Sequence, residues 1–526
     1  MTNTIEALPL GASVGVIGAG TMGEGIAQVL LQSGYQVLLF DQSSSSAIRA
    51  EASIEARLAR LVEKGILSSQ EKNRALASLQ VVSTLEAFHK TELVIEAIVE
   101  NLEVKQTLFK RLEEIVNNET ILASNTSSIS ITAIGSALAH PERLAGWHFF
   151  NPAPLMKLVE VVSGLATDPA IAETLYKTAE ACGKTPVHTA STPGFIVNRV
   201  ARPFYAEALR VMQESKAHVA DIDQLFRESG NFKMGPFELM DLIGNDVNYS
   251  VTESVWQAFY YDARFTPSLI QKSYVDAGFY GRKTGRGFYR YEKESGGALR
   301  KVIADQREAT QKSVDQSALL AIRLNQLSPF YMAWIERFNR AGIEPHLIES
   351  ISDESAPFMT IGEVECFITK GITATEMAYT RQTQSVVMLD LARDYREAKS
   401  IGVSRSENCL EADFEEVLAV LTALEFNVVE LDDLPGMLVM RTVAMLVNEA
   451  SDTVHQGVST IAEVDTAMTL GVNYPQGPFD WADQIGTGYL CDLLNNLHQR
   501  YGDPRYRLSP LLQHYLYSGR PFYDEA

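Results

Sequence analysis

Cysteine is scarce in this chain and its cysteines are far apart. The 526 residues include four, at Cys182, Cys366, Cys409 and Cys491. They form no CxxC pair and no cluster with histidine. The spacing therefore suggests neither a disulfide framework nor a zinc site. Reduced thiols, as in the cytoplasm, are the simplest interpretation.

Positive charge is also in short supply. The chain has 45 lysines and arginines against 66 acidic residues, a formal charge of -21. This balance argues against nucleic acid or an anionic membrane as the main partner, so any phosphate site must be built locally. No lysine or arginine precedes Arg49, which leaves an N-terminal signal peptide without its charged start, and no apolar run is long enough to span a membrane. We expect a cytoplasmic enzyme with no membrane partner.

A glycine-rich turn follows the first apolar segment. Residues 13–18 are predicted to form a strand that runs into Gly18-Ala19-Gly20-Thr21-Met22-Gly23, after which apolar residues recur at helical spacing. In a dinucleotide-binding α/β fold, Gly18 would permit the tight turn and Gly20 would let a pyrophosphate approach the backbone. Gly23 would let the helix pack closely on the strand. The pattern therefore predicts a nucleotide-binding domain.

The next predicted strand, residues 35–40, ends at Asp41. A carboxylate at this position accepts hydrogen bonds from the adenosine ribose and repels a 2′-phosphate. The residues that follow, Gln42 and four serines, offer no cation. We therefore predict NAD rather than NADP as the cofactor.

The stretch WHFFNPAPLMKLVEVVS, residues 147–163, contains the strongest candidates for chemistry. His148 closes one apolar run, Glu160 interrupts another, and two prolines between them indicate a turn. An ionised carboxylate among apolar neighbours needs a partner, and a histidine held by a carboxylate suits a general base. The turn is predicted to bring the two side chains together. A core histidine near an edge glutamate is the structural alternative.

Two other segments are polar or basic. Ser127 lies in Ser-Asn-Thr-Ser-Ser, residues 124–128, after a predicted strand, where open α/β sheets place ligand sites. It could bind a substrate oxygen or cap the helix that starts near Ser130. The loop GRKTGRGFY, residues 281–289, could face the cofactor or an acyl-carrier phosphate, or could be a solvated turn.

An internal repeat appears at a constant offset. Four features recur 242 positions later: Pro193-Gly194 as Pro435-Gly436, Glu207 as Glu449, Asp223 as Asp465, and Gly235-Pro236-Phe237 as Gly477-Pro478-Phe479. The fixed offset indicates a duplicated helical domain. The second half has no GxGxxG and no counterpart of the sequence run around His148 and Glu160, and Met440 matches Asn198. We expect the second half to be structural, with at most one active site per chain.

These patterns predict an α/β Rossmann-type domain and an all-α domain, followed by a reduced Rossmann-like domain and a second copy of the helical domain. The expected boundaries are 1–191, 192–293, 317–425 and 426–526, with a linker at 294–316.

Six strings in order carry a resemblance to a known family: GAGTMG, EAIVEN, SNTSS, HFFNP, KLVEVV and PGFIVNR. The chain resembles the 3-hydroxyacyl-CoA dehydrogenases over roughly residues 10–292, with a second helical domain at 426–526. Its layout is similar to the bacterial 3-hydroxybutyryl-CoA and 3-hydroxyadipyl-CoA type, which implies a role in β-oxidation or phenylacetate catabolism.

The resemblance implies NAD-dependent oxidation of an (S)-3-hydroxyacyl-CoA. His148 would be the base, Glu160 its orienting carboxylate, and Ser127 and Asn198 would hold the reacting oxygen and thioester. Lys64 resembles a lysine that contacts CoA. The implied cofactor contacts are Gly18, Gly20, Thr21, Met22, Gly23, Asp41, Ala97, Glu100, Lys105, Ser127, Asn151 and Lys283. No metal is implied.

Two other functions stay open at this point. One is a β-hydroxyacid dehydrogenase that acts on free acids, and the other is a catalytically silent nucleotide-binding protein. The expected partner is a CoA thioester, not nucleic acid. The second helical domain is expected to cover the surface that a partner subunit would occupy in a shorter relative, and homo-oligomerisation through the helical domains stays open.

Overall fold

The computed structural model describes residues 5–215, 217–294, 299–302, 321–348 and 356–523. They form two compact units. The first contains the chain up to Arg199 together with Gln456–Val472, and the second contains Val200–His455 and the chain from Asn473.

The first unit is built on an eight-stranded sheet in the order β3-β2-β1-β4-β5-β6-β7-β8. All neighbours are parallel except β6 and β7, which are antiparallel. Most of its central strands are apolar runs buried on both faces, as parallel sheets require. The strands are Ser13–Ile17 (β1), Gln36–Phe40 (β2), Leu79–Val81 (β3), Leu93–Glu96 (β4), Ile121–Ser124 (β5), Leu144–Phe149 (β6), Leu158–Ser163 (β7) and Thr185–Ala190 (β8).

Helices flank this sheet, and two apolar clusters form its core. The order of strands reverses between β1 and β4, which is where open α/β sheets bind ligands. The helices are Thr21–Gln32 (α1), Ser44–Glu63 (α2), Ser69–Ala77 (α3), Leu102–Ile115 (α4), Ile131–Gly135 (α5), Pro169–Ala181 (α6) and Val197–Val200 (α7), the last at the boundary between the units.

From sequence alone, the charged stretch from about 47 to 80 is predicted to form an amphipathic helix. The structure has two helices there, α2 and α3, so that prediction was wrong in detail. Gly65 has a left-handed backbone, with φ of +69°, and follows the end of α2. Ser68 then starts α3 with a capping box, because its hydroxyl accepts from the Glu71 amide and the Glu71 carboxylate accepts from the Ser68 amide.

The second unit begins with helices, as expected. They are Arg202–Glu214 (α8), Val219–Glu228 (α9), Pro236–Ile243 (α10), Asn245–Ala258 (α11) and Leu269–Asp276 (α12). A hairpin of Arg290–Lys293 (β9) and Leu299–Val302 (β10) follows. The predicted linker 294–316 therefore contains a strand at 299–302, while 295–298 and 303–316 lie outside the described residues.

A seven-stranded mixed sheet follows, in the order β12-β11-β13-β14-β15-β16-β17. Its strands are Ile322–Asn325 (β11), His346–Ile348 (β12), Met359–Ile361 (β13), Val364–Ile368 (β14), Val386–Leu389 (β15), Ser400–Arg405 (β16) and Asn427–Glu430 (β17). The helices of this part and of the second helical copy are Tyr331–Ala341 (α13), Ala374–Arg381 (α14), Glu411–Ala423 (α15), Val439–His455 (α16), Ile461–Gly471 (α17), Pro478–Ile485 (α18), Thr487–Tyr501 (α19) and Pro510–Ser518 (α20). Of these, α17 belongs to the first unit.

The duplication holds at the level of single backbone angles. The φ values are +76° and +74° at Gly194 and Gly436, and +103° and +97° at Gly244 and Gly486. Residues Asn231 and Asn473, also 242 apart, have φ of +58° and +55°. Because positive φ is rare outside glycine, this agreement confirms that the helical domain is repeated.

The repeat also includes part of the first sheet. Strands β6, β7 and β8 start at 144, 158 and 185, and β15, β16 and β17 start at 386, 400 and 427, each 242 later. The pairing is antiparallel and then parallel in both sets. The second sheet therefore keeps the strand pair on which His148 and Glu160 lie in the first.

Among the described residues, no helix is both long and apolar enough to cross a membrane.

Candidate active site

The glycine turn has the packing expected of a nucleotide site. A Cβ on Gly18 would lie 2.4 Å from the carbonyl oxygen of Ala97, and a Cβ on Gly23 would lie 1.8 Å from the carbonyl oxygen of Gly18. A Cβ on Gly20 would meet nothing within 4 Å. Gly18 and Gly23 are therefore required by the fold, whereas Gly20 leaves open space beside the backbone.

Asp41 lies beside this turn at the end of β2. Its Oδ2 accepts from the Ala19 amide at 2.8 Å, and its Oδ1 accepts from the Ser43 amide at 2.8 Å. Within the described ranges, no side chain caps the N-terminus of α1, so its first amides can bind phosphate. An open glycine backbone, a helix N-terminus and a carboxylate after β2 fit a dinucleotide with a free 2′-hydroxyl.

His148 and Glu160 form a buried pair. They lie opposite each other on the antiparallel strands β6 and β7. His148 Nδ1 is 2.7 Å from Glu160 Oε2, and the two residues are 5% and 0% exposed. Since a carboxylate only accepts, Nδ1 carries the hydrogen of this contact, which leaves Nε2 as the ring nitrogen that can accept a proton in the neutral form. The predicted pairing of the two side chains is confirmed.

Glu160 has a second role. Its Oε1 accepts from the backbone amides of Ile196 at 3.1 Å and Val197 at 3.0 Å. These amides lie at the start of α7, whose second residue is the half-buried Asn198. One carboxylate thus orients the histidine and holds the segment that carries the predicted substrate-binding asparagine.

Ser127 lies at the end of β5 and binds Glu100. Its amide and hydroxyl donate to Glu100 Oε1 at 2.7 and 3.1 Å. Burial opposes ionisation of Glu100, but the charge of Lys105 and the hydrogen bonds from Ser127 and Thr126 outweigh it and lower the pKa of this carboxyl. The cap of α5 is Ser130, whose hydroxyl accepts from the Ala133 amide. The alternative that Ser127 caps this helix was wrong.

Sequence reasoning missed two polar residues near this cluster. Glu96 is fully buried and accepts from the Lys105 ammonium at 2.5 Å and the Ser124 hydroxyl at 2.7 Å. Asn125 Oδ1 accepts from the Phe149 amide at 2.8 Å, directly after His148. Glu96 had a signal in the sequence, an acid in an apolar strand, as Glu160 has. Asn125 had none beyond its place in the polar cluster.

The other predicted contacts are less constrained. Within the first unit, Ala97 and Met22 are half-buried, while Thr21, Asn151 and Lys64 are exposed, Lys64 at the C-terminal end of α2. Lys283 lies in the second unit, 2.6 Å from the Asp246 carboxylate. Their ligand roles stay predictions.

The basic loop 281–289 has a structural explanation for its glycines. A Cβ on Gly281 or Gly287 would collide with Asp241. The Asp241 carboxylate accepts from the amides of Phe288 and Tyr289, both at 2.9 Å. The glycines therefore let the loop wrap around a buried acid.

The second half contains an altered version of the dyad. Asp390 and Gly402 lie 242 positions after His148 and Glu160. Asp390 directly follows β15, Gly402 lies in β16, and the Asp390 amide donates to the Gly402 carbonyl at 2.9 Å. Asp390 accepts from the amides of Leu438, Val439 and Met440 at 3.2, 2.8 and 3.0 Å.

The first two of these amides correspond to those that Glu160 binds. In the first half, the carboxylate that binds these amides is on the second strand of the pair, at Glu160. In the second half, it is Asp390, at the position that corresponds to His148. Burial raises the pKa of Asp390 to about 6, against the backbone hydrogen bonds. Neither the histidine nor the glutamate of the first half is present at these two positions of the second half.

Comparison with known proteins decides the family. Models of the 3-hydroxyacyl-CoA dehydrogenase NAD-binding domain and C-terminal domain match residues 13–192 and residues 194–291 and 436–522. The reduced Rossmann-fold domain of 3-hydroxybutyryl-CoA dehydrogenase matches 366–435. The chain is 42% identical to the 3-hydroxyadipyl-CoA dehydrogenase of Escherichia coli K12, over 95% of this chain and 96% of that protein.

The chain belongs to the 3-hydroxyacyl-CoA dehydrogenase family. It is an NAD-dependent oxidoreductase that acts on hydroxyacyl-CoA.

Solved structures agree over different lengths. A crystal structure of 3-hydroxybutyryl-CoA dehydrogenase from E. coli has a TM-score of 0.85 and 40% identity, covering 97% of this chain and 100% of that one. The (S)-3-hydroxybutyryl-CoA dehydrogenase of Ralstonia eutropha has a TM-score of 0.52 and 38% identity, and covers 53% of this chain and 99% of its own. Shorter relatives therefore match about half of the chain.

A first prediction concerns the glycine turn. We expect Gly23→Ala to weaken NAD binding by more than about tenfold, or ~1.4 kcal/mol, and to lower the melting temperature, because the added Cβ collides with the Gly18 carbonyl. Gly20→Ala is the matched control for stability: it should fold normally and lose only NAD affinity. Calorimetric titration with NAD and thermal unfolding measure both effects. Unchanged NAD binding by Gly23→Ala would contradict this packing.

A second prediction concerns Asp390. Asp390→Asn should lower the free energy of unfolding by about 2–4 kcal/mol, because a side-chain amide group replaces an oxygen that accepts buried backbone amides. Glu411→Gln, an exposed residue paired with Arg405, is the control and should change it by less than about 0.5 kcal/mol. Urea unfolding tests the difference. Equal stability of the two variants would show that Asp390 anchors nothing.

Proposed function

We propose that the chain oxidises an (S)-3-hydroxyacyl-CoA to the 3-oxoacyl-CoA, with His148 as the general base. The supporting observation is the buried pair of His148 and Glu160. Nε2 of His148 takes the proton of the 3-hydroxyl group, and the hydride leaves C3. NAD, when bound, supplies the acceptor for that hydride.

Glu160 supports this proton transfer electrostatically. The ring becomes an imidazolium as it takes the proton, and a carboxylate 2.7 Å from Nδ1 stabilises that charge where water is excluded. The amides of Ile196 and Val197 hold the other oxygen, so the carboxylate cannot rotate away. This is a positioning role as well as a charge effect.

Ser127 and Asn198 complete the proposed site. Hydrogen-bond donors at these positions would bind the reacting oxygen and the thioester, and donors that tighten as charge develops lower the barrier. The hydroxyl of Ser127 already donates to Glu100, so it would have to turn to reach substrate. Lys64 and the cofactor residues predicted above, from Gly18 to Lys283, are retained as the proposed contacts of CoA and NAD.

We further propose a cytoplasmic location and a CoA thioester as the partner.

Segment 456–472 of the second helical copy supports the idea that this copy replaces a partner subunit. Its Glu463 accepts from the His188 amide on β8 at 2.8 Å, and a Cβ on Gly471 would collide with side chains of Leu158 and Val197. In this proposal, the second helical copy occupies the place that the helical domain of a partner subunit would occupy in a shorter relative.

A third prediction tests the dyad. In Glu160→Gln, the amide oxygen must accept from the Ile196 and Val197 amides, which turns the side-chain NH₂ towards His148. The ring then carries its hydrogen on Nε2 and cannot act as a base. We expect kcat to fall by about 10²–10⁴, with NAD affinity changed by less than about threefold.

The matched control is Glu173→Gln, which alters a partly exposed glutamate bonded to His188 and should leave kcat unchanged. His148→Asn should lower kcat at least as much as Glu160→Gln. NADH formation is measured with (S)-3-hydroxyacyl-CoA thioesters of different length and with free 3-hydroxybutyrate. Normal turnover by Glu160→Gln would refute the assigned base, and preference for the free acid would refute the thioester substrate.

A further inference from the structure

The second unit contains a cavity of about 210 Å³ that none of the roles above uses. Helix α8 forms one wall, and the segment from Arg264 to Gln271 forms another. Apolar side chains such as Leu209, Phe265 and Leu269 line it. The volume and lining suit a short carbon chain.

Four arginines also line this cavity, and three of them have carboxylate partners. Arg264 is bonded to Asp452, and Arg505 lies 2.6 Å from Asp503. Arg210 lies 3.3 Å from Glu207. Each of these three guanidinium groups therefore already has an acidic partner within the protein.

Arg202 differs from these three. It is 5% exposed, and in the described part of the chain it has no ion pair. Its Nη1 donates to the Thr252 hydroxyl at 3.1 Å, and the Tyr205 ring lies 5.0 Å from its Cζ. Its Nε is buried and has no hydrogen-bond partner among the residues that the structure describes. Burial lowers the pKa of this guanidinium. Burying a cation without an anion costs free energy, so the presence of an arginine at this position requires an explanation.

The fold itself does not require this arginine. The internal repeat places Ala444 at the corresponding position, 242 residues later, where it is fully buried in α16. The same helix therefore forms with an apolar side chain at this point. Arg202 distinguishes the first copy, which follows the nucleotide-binding domain, from the second.

We propose that this cavity is a carboxylate-binding site, with Arg202 as its cation. Arg202 lines the cavity, its Nε is buried without a hydrogen-bond partner, and the Nε and Nη2 edge of a guanidinium has the spacing to donate two parallel hydrogen bonds to a carboxylate. The apolar walls accept the methylenes attached to that carboxylate. The carboxylate is either the far end of a dicarboxylic acyl chain or a free carboxylate.

The first of these two ligands, a dicarboxylic acyl chain on CoA, rests on the proposed function. Arg202 follows Asn198, the proposed thioester contact, by four residues in the sequence. A substrate such as 3-hydroxyadipyl-CoA carries the required carboxylate, whereas 3-hydroxybutyryl-CoA does not.

Two measurements test the proposal and separate the sources. The first is the ratio of kcat/KM for 3-hydroxyadipyl-CoA to that for 3-hydroxybutyryl-CoA, in the wild type and in Arg202→Met. We expect the ratio to fall at least tenfold in the variant, and to fall less in Arg202→Lys, which keeps the charge but not the fork. Arg405→Met, an arginine on β16 paired with Glu411, is the control with an unchanged ratio.

The second measurement uses free adipate and the neutral 1,6-hexanediol in thermal unfolding of the whole protein. Suppose that adipate but not hexanediol stabilises the protein, that Arg202→Met abolishes this effect, and that the substrate ratio does not change. This result would identify a free carboxylate as the ligand. If neither the ratio nor the adipate effect depends on Arg202, the proposal is wrong. If no thioester is oxidised at all, the proposed function fails, and the adipate measurement still decides this site. Should Arg202→Met not fold, Arg202→Lys provides both readouts.

Discussion

One fully buried carboxylate, that of Glu160, links three segments of the first unit. Glu160 is fully enclosed, and an ionised group can stay there only if its oxygens are bonded. Its donors in the described structure are the His148 ring and the amides of Ile196 and Val197. These contacts join β7 to β6 and to the start of α7. The group that would hold the catalytic ring thus also fixes where the helical segment begins.

The duplicated half shows that these two tasks can be separated. Asp390 keeps the bonds to the helix start but lies where the first half has His148. The change is possible because residues opposite each other on antiparallel strands are close, so a carboxylate on either strand can reach the same amides. Gly402, at the position that corresponds to Glu160, has no side chain, and this leaves space for the Asp390 side chain opposite it. Helix anchoring has been kept in this half, and the acid–base pair has been lost.

Much of this site could be predicted from local patterns. The strand, the glycine turn and the helix are close in sequence, and His148 and Glu160 stand out because polar residues in apolar runs need partners. The errors come from competing local signals. The helix expected from 47 to 80 is divided by the left-handed backbone at Gly65. The cap of α5 is Ser130, which directly precedes the helix, whereas Ser127 donates to Glu100, which is distant in sequence. The strand at 299–302 is stabilised by pairing with β9, which polar composition does not reveal.

The sequence by itself determined the nucleotide fold, the preference for NAD, the histidine and glutamate pair and the repeat, since each depends on residue spacing along the chain. The tertiary structure decided which charges are balanced. Arg264 is bonded to Asp452, 188 residues away, whereas Arg202 has no carboxylate among the described residues although it lies on the same cavity. Whether a charge is paired depends on distances between segments remote in sequence, and counting arginines cannot provide those distances.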